Sequence, residues 1–408
     1  AGRIVQDIVA ADGGNACTVV GTPLRASAGG AALANGTAAH ALDYDDMCFV
    51  SLAHPSAPLV AAIFAAGELA GAAGSSLLDA YVVGFEIEAR LGRTMNPRHY
   101  ERGWHCTSTL GSVGAAAGVG RVLGLDAARA SHALAIAMSS ASGLKENFGT
   151  MTKPLHAGLA AEAGVRAARL AERGLTASAA ALDGPQGFLR AMNGDGKDVA
   201  AALADLGSRW EILDTGITIK LYPSCAGTHP ALDAILDLRS REGLTPDAIE
   251  RIDVGVDAIT PTVLLYDRPA SGLEAKFSMP FCAAAAIVDG RVGIDTFDDA
   301  KMRDDRIVRL MPRVRMQVEG TLDAAAPPLT EATVRVQLRD GRVLTQAAHG
   351  ARGYPERPAS DTELDTKFMT CATRALTNAE AATALGLVRD LEGLSDARSL
   401  ARALASRS

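Results

Sequence analysis

The chain has 408 residues, 48% of them hydrophobic but only 4% aromatic, and a formal net charge of −7. That length can bury a large core and predicts two domains, while a charge spread without basic stripe or acidic tail argues against a nucleic-acid partner. Six scattered cysteines (Cys17, Cys48, Cys106, Cys225, Cys282 and Cys371) form no CxxC pair, which argues against a zinc ribbon or disulfide framework and fits a reducing cytoplasm.

In chain order, the sequence opens at Ala1, without methionine and in a helical pattern, so a longer native N-terminus is expected; no signal peptide is visible. Apolar residues at three- and four-residue intervals predict helices over 32–46, 58–73, 77–94, 109–123, 127–142 and 155–172. Gly103, Gly120, Gly124, Gly149 and Gly174 punctuate them. The longest apolar run, 59–74, is short for a membrane span and carries Glu68, so a buried helix is expected there and no membrane partner. Two further helical stretches, 177–192 and 198–206, precede Trp210.

Past Lys220 the texture changes. Residues 251–257 read R-I-D-V-G-V-D, 313–318 read R-V-R-M-Q-V, and 333–338 read T-V-R-V-Q-L before Asp340-Gly341 and a resumed run over 342–345. This alternation predicts strands, the last two forming a hairpin with a type I′ turn. Helical patterns at 230–242 and 279–289 lie among them, and 363–374 and 379–392 are helical again. The predicted fold is mainly α with an α+β insert: a large helical domain from 1–220 and 353–408, and a smaller α+β domain over 221–352.

Chemistry concentrates first in 34–58, where His40, Asp43, Asp45, Asp46 and His54 interrupt small apolar residues. Three carboxylates beside an apolar helix are costly to bury without a partner or a purpose. On a continuous helix His40, Asp43 and Asp46 share a face and Asp45 points elsewhere, so Asp45 and Asp46 are assigned structural roles. A bland reading makes them solvated carboxylates at a helix end. Another reading is a Mg²⁺-dependent all-helical enzyme using Asp43 and Asp46. That needs a second acidic cluster on a facing helix, and the other helical patterns offer none.

Four basic side chains precede or open predicted helices: His54 in A-H-P-S-A-P, His105 in G-W-H-C-T-S-T-L-G, Lys153 in G-T-M-T-K-P-L-H and His229 in C-A-G-T-H-P-A-L-D. Ser56, Thr107 or Ser108, and Thr228 are the expected caps, with Pro58, Pro154 and Pro230 in first turns. Singly each is ordinary, because a histidine near a helix start is more often structural. Together they matter more, since helix starts favour bound anions and keep nearby imidazoles neutral. His156 is expected to support Lys153, whereas His99, His132 and His349 read as surface or packing residues. No dinucleotide fingerprint, P-loop or G-x-S-x-G elbow is present.

At these residues the sequence resembles the MmgE/PrpD family of 2-methylcitrate dehydratases, cis-aconitate decarboxylases and iminodisuccinate epimerases. The matching stretches are ANGTAAHALDYDD with HPS, GWHCTSTLG, NFGTMTKPLHAG, KLYPSCAGTH and KFSMPFCAAAAIVDG, in the family's order over most of the chain. The resemblance implies a helical domain built from both chain ends with an inserted α+β lid, and a homodimer. It implies a pocket drawing on Asp43, His54, His105, Lys153 and a histidine of KLYPSCAGTH. Here Cys225 stands where decarboxylase-like members have histidine, which leaves His229, and Met47 stands where they carry threonine; both departures argue against cis-aconitate decarboxylation. GWHCTSTLG and NFGTMTK look closer to the epimerase branch.

The chemistry so implied breaks a bond α to a carboxylate of a small di- or tricarboxylate, by acid/base catalysis without metal or organic cofactor. Lys153 and the helix starts would hold substrate carboxylates and the developing enediolate. His54 and His105 would be acid and base, Asp43 would orient one of them, and His229 would arrive from the lid. Thr107, Ser108 and Tyr222 are expected substrate contacts. Dehydration, decarboxylation and epimerisation all stay open, as does a non-catalytic scaffold of the same fold.

Overall fold

The computed structural model of the protein describes residues 1–193, 199–322 and 327–406. It is mainly helical with a small mixed sheet. Helices stand at the six early positions the periodicity predicts: Ala28–His40, Ser56–Ala70, Gly74–Met95, Cys106–Val122, Ala127–Ser140 and Thr152–Glu172. The Thr152–Glu172 helix packs against the Ala28–His40, Cys106–Val122 and Ala127–Ser140 helices.

Small residues set how closely these helices approach. A methyl group added at Gly36 would lie 2.9 Å from the Gly158 Cα, and one at Gly158 would lie 2.2 Å from Thr37 Oγ1 and 2.3 Å from the Leu33 carbonyl oxygen. These two helices deliver His40 and Lys153, so their spacing is also the spacing of the site. Gly158→Ala should therefore cost about 1–3 kcal/mol through overpacking, read from urea unfolding. A variant as stable as the parent would show that the helices part freely.

Several boundaries differ from the sequence reading. The helix expected over 32–46 stops at His40; the Asp43 amide donates to the His40 carbonyl, and Asp43 takes a left-handed φ of 52°, which a short polar residue tolerates. His40, Asp43 and Asp46 therefore do not share a helix face. Of the stretch expected over 177–192, only Phe188–Asn193 is helical, because Gly184-Pro185 breaks the segment before it. The 198–206 stretch shrinks to Val199–Leu203, and Asp198 lies outside the described residues.

Two short pairs, β1 (Cys17–Thr18) with β2 (Arg25–Ala26) and β3 (Asp46–Met47) with β4 (Thr218–Ile219), are antiparallel. The main sheet has β5 (Ile249–Val256) between β6 (Val314–Val318), which is parallel to it, and β7 (Glu331–Leu338), which pairs with β8 (Val343–His349). Ile252, Val254, Val334 and Val336 are buried, and the His229–Glu242 helix packs on β7 and β8. The β7–β8 turn is not type I′, which needs two positive φ values. Only Gly341 has one (89°), and the Leu338 amide donates to the Arg342 carbonyl, giving a three-residue loop with a left-handed glycine.

Late in the chain, capping boxes at Ser360/Glu363 and Thr377/Glu380 start the Asp361–Ala372 and Asn378–Arg389 helices. A helix the sequence reading missed, Ala397–Leu404, packs on Ser56–Ala70 and β1. Among the described residues no helix is long and apolar enough to cross a membrane.

Candidate active site

The turn after the Ala28–His40 helix and the opening of the Thr152–Glu172 helix meet as a buried ionic network. The Lys153 ammonium donates to Asp43 Oδ1 at 2.8 Å and to His40 Nε2 at 2.8 Å, and His40 Nδ1 donates to Asp45 Oδ2 at 2.7 Å. An ammonium can only donate, so His40 Nε2 is the bare nitrogen and Nδ1 carries the proton. Lys220 joins from just beyond β4, 3.1 Å from Asp43 Oδ1, and donates to the Asp43 carbonyl at 3.3 Å. Burial alone would raise the Asp43 carboxyl, but Lys153 and then Lys220 outweigh it and hold it well below the usual range. Asp45 is likewise lowered, burial being outweighed by His40 and His54. Asp46 goes the other way, pushed up to about 7 by burial and by Asp45.

His54 lies against this network, its ring 4.5 Å from that of His40 and its Nε2 4.0 Å from Asp43 Oδ1. Its Nδ1 donates to the Asp46 carbonyl at 2.6 Å, and a carbonyl can only accept. In the neutral ring, Nε2 is therefore the free base. Burial, then Lys220, lowers His54 well below its ordinary value, so the ring is neutral at physiological pH. His105 is lowered too, by burial and then Lys153; its Nδ1 is 3.0 Å from His156 Nδ1, and its buried Nε2 has no partner among the described residues. His54, His105 and Lys153 line one small cavity of about 20 Å³, together with Tyr100, Phe148 and Cys225, and the same walls include Met47, Phe277 and Leu329. That volume is room for a single water. A larger hollow of about 350 Å³, on the outer face of the sheet between Arg251, Arg315 and Arg335, holds none of these groups.

Of the residues picked from sequence, Asp43, His54, His105 and Lys153 come together. The expected caps do not form: Pro55, His105 and Thr228 stand at the cap positions of the Ser56–Ala70, Cys106–Val122 and His229–Glu242 helices without a side-chain cap bond, and the Ser56 amide donates to Asp46. Thr107 Oγ1 instead accepts from the His54 amide at 3.0 Å, and Ser108 Oγ donates to the His156 carbonyl at 3.2 Å, so both hold histidines in place. Tyr222 donates to Asp233 at 2.5 Å. His229, lowered to about 3 by burial, bonds the Ser224 carbonyl through Nε2 and packs edge-on against Tyr222. Neither Tyr222 nor His229 lines the cavity.

His40, Asp45 and Lys220 belong to the network although the sequence reading gave them no catalytic or binding role. Lys276 and Lys367 complete it: Lys276 donates to the Leu42 and Pro223 carbonyls at 2.8 Å, and Lys367 to the Asp45 carbonyl at 3.1 Å and the Lys220 carbonyl at 2.8 Å. Burial lowers each to about 8. The paired carboxylates of the Mg²⁺ reading do not form. Asp46 turns its carboxylate to the Ser56 amide, and the donor atoms that gather within 4.8 Å are those of His40, Asp43, Asp45 and His54. Two ammonium groups already sit on Asp43 there.

Comparison with known proteins follows the same residues. The chain matches the MmgE/PrpD N-terminal domain over residues 2–200 and the MmgE/PrpD C-terminal domain over 222–393. It is 29% identical to the cis-aconitate decarboxylase of Homo sapiens over 378 residues, which covers 90% of this chain and 77% of that protein. The cis-aconitate decarboxylase of Mus musculus is 29% identical over 388 residues (92% and 78%), and that of Aspergillus terreus 26% over 420 residues (97% and 84%). With both family domains matched across nearly its whole length, the chain belongs to the MmgE/PrpD family.

Proposed function

We propose that this protein is a lyase or isomerase that makes or breaks a bond at the carbon α to a carboxylate of a small di- or tricarboxylate, with its own side chains as acid, base and cation. The observation that carries the reading is a neutral imidazole with a free Nε2, His54, that lines a small cavity together with a buried ammonium, Lys153. On this reading a substrate carboxylate takes up donors of Lys153 and Lys220 that Asp43 now holds. The charge developing at the α carbon is stabilised by those cations, already in place and out of water. His54 takes a proton at Nε2, His105 gives one, and Asp43 and His40 keep Lys153 aimed.

A di- or tricarboxylate cannot enter a space the size of one water, so the site opens to load. His54, His105 and Lys153 come from 1–220, while Cys225, Phe277 and Leu329 come from 221–352. This favours a division in which 221–352 is a lid over a helical domain of 1–220 and 353–408. His229 belongs to the lid on this division, behind its inner wall. A homodimer accompanies the reading, and sedimentation checks it.

Decarboxylation of cis-aconitate is the activity the relatives are named for, but Met47 and Cys225 line the cavity at the two positions where the resemblance breaks. The experiment is to incubate the protein separately with 2-methylcitrate, cis-aconitate and iminodisuccinate in D₂O and follow each by NMR. One of the three should be turned over: loss of water identifies dehydration, loss of CO₂ with solvent deuterium in the product identifies decarboxylation, and solvent deuterium at the α carbon without loss of substrate identifies epimerisation. No change in any of them would overturn the reading.

A further inference from the structure

His105 and His156 face each other through like atoms, Nδ1 to Nδ1 at 3.0 Å. Burial lowers His105 well below its ordinary value and His156 to about 4, so both rings are neutral near pH 7. Two facing imidazole nitrogens at that distance hold one proton between them, because two protons would collide and two lone pairs would repel. Where that proton resides decides what His105 shows the cavity. If His156 Nδ1 carries it, His105 is the Nε2–H tautomer and an acid. If His105 Nδ1 carries it, Nε2 is bare. His54 has no such choice, since the Asp46 carbonyl fixes its tautomer as the base.

A neutral imidazole cannot act alone as an acid. Giving up its Nε2 proton would leave His105 an imidazolate unless a proton reached Nδ1 in the same step. Among the described residues the group bonded there is His156. The placement of His156 is specific: its carbonyl accepts from Ser108 Oγ, and Gly143, at a φ of 119°, backs onto both side chains so closely that an added methyl would lie 2.8 Å from Ser108 Cβ and 3.5 Å from His156 Cγ. The Gly143 carbonyl also accepts from the His105 amide at 3.0 Å. His156 Nε2 has no protein partner among the described residues and is not sealed from solvent.

We infer that His156 is the positioning and proton-relay residue that makes His105 the acid of the site. The inference rests on the reading of the cavity as an acid/base site. In the step, the His105 Nε2–H bond breaks and its proton bonds to the electron pair released on the substrate. The proton on His156 Nδ1 crosses to His105 Nδ1, and His156 Nε2 takes one from water. One proton enters and one leaves, with no change of oxidation state. Opening of the site resets the pair: solvent protonates His105 Nε2, the shared proton returns from His105 Nδ1 to His156 Nδ1, and His156 Nε2 releases its proton to solvent.

His156→Asn tests this, because an asparagine amide can still donate toward His105 Nδ1 but cannot pass a proton on. Turnover of whichever carboxylate the parent uses should fall about 10²-fold or more with KM little changed, the scale of general-acid loss. Added imidazole should recover part of the turnover in His156→Ala, whose cavity can admit it. A His156→Asn enzyme at full turnover overturns the relay. A readout independent of activity is ¹⁵N NMR of the histidine-labelled parent. His105 should read as the Nε2–H tautomer, and finding it protonated at Nδ1 overturns its role as acid. A parent inert toward all three carboxylates would instead count against the functional reading, while the NMR result would still decide the pairing.

Discussion

Replacing Lys153 with methionine should lower turnover of the true substrate by at least about 10²-fold, the scale of one lost transition-state charge contact, and leave a folded protein. The side chain keeps its length, while the charge goes, and with it the ammonium's place 5.3 Å from the Phe148 ring and 5.2 Å from the Phe277 ring. What is lost is the donor that Asp43 and His40 share at 2.8 Å each. Breaking a buried pair by removing one partner costs about 3–5 kcal/mol when the other ion is left alone. Asp43 is not left alone, because Lys220 remains at 3.1 Å, so urea unfolding should show a loss at or below the low end of that range. A fully active Lys153→Met enzyme would remove Lys153 from the mechanism.

Stability should fall steeply when the pH drops below about 6.5. Burial lowers six histidines: His40, His54 and His105, His99 and His156 to about 4, and His229 to about 3. A folded-state pKa below the unfolded value of about 6.5 means that the unfolded chain binds more protons, so stability rises with pH through that window and is lost on acidification. Two carboxyls oppose this. Asp46, raised to about 7 by burial and Asp45, and Glu88, raised by burial and Asp46, already hold protons that the unfolded chain would release above about pH 4. The lowered histidines outnumber the two raised carboxyls, so unfolding takes up protons on balance through this window and stability falls as the pH drops. Asp43 adds to the loss only as the pH approaches about 4 and falls below it, where the unfolded carboxyl takes up a proton that the depressed native one does not. Urea unfolding at pH 7, 6 and 5.5 measures the slope directly, and a flat profile across that range would mean the histidines are not neutral in the fold.

What the sequence made legible was local. The helices with strong three- and four-residue periodicity were found within a few residues, and so were the alternating strands. The breaks were harder: the end of the first site helix at His40 depends on Asp43 accepting a left-handed backbone, which no periodicity announces. His54, His105 and Lys153 could be picked because each falls beside a helix start in a matching stretch, and Asp43 because its acidic run stands in another. Asp45 was set aside on a helix geometry that the chain does not adopt, yet it is the partner that fixes the His40 tautomer. Lys220 carried a usable signal, a lone cation in the apolar run I-T-I-K-L-Y. Lys367 carried none, because its partners are backbone carbonyls and only the folded chain brings it to them. His156 was placed as a support but not as the partner of His105, since a meeting of two Nδ1 atoms depends on ring orientation.

The grip of Lys367 on the turn has a consequence for how the protein is made. Its two acceptors lie 322 and 147 residues earlier in the chain, at Asp45 and Lys220. A ribosome adding about 5–20 residues per second needs roughly 7–30 s to go from Lys220 to Lys367. Throughout that interval the carbonyls of the turn lack one of the donors that close them off from water. The apolar helices around it are already made. The nascent chain must therefore hold its future site open, hydrated and exposed until a late helix arrives, and in that window binding to a chaperone would compete most directly with folding.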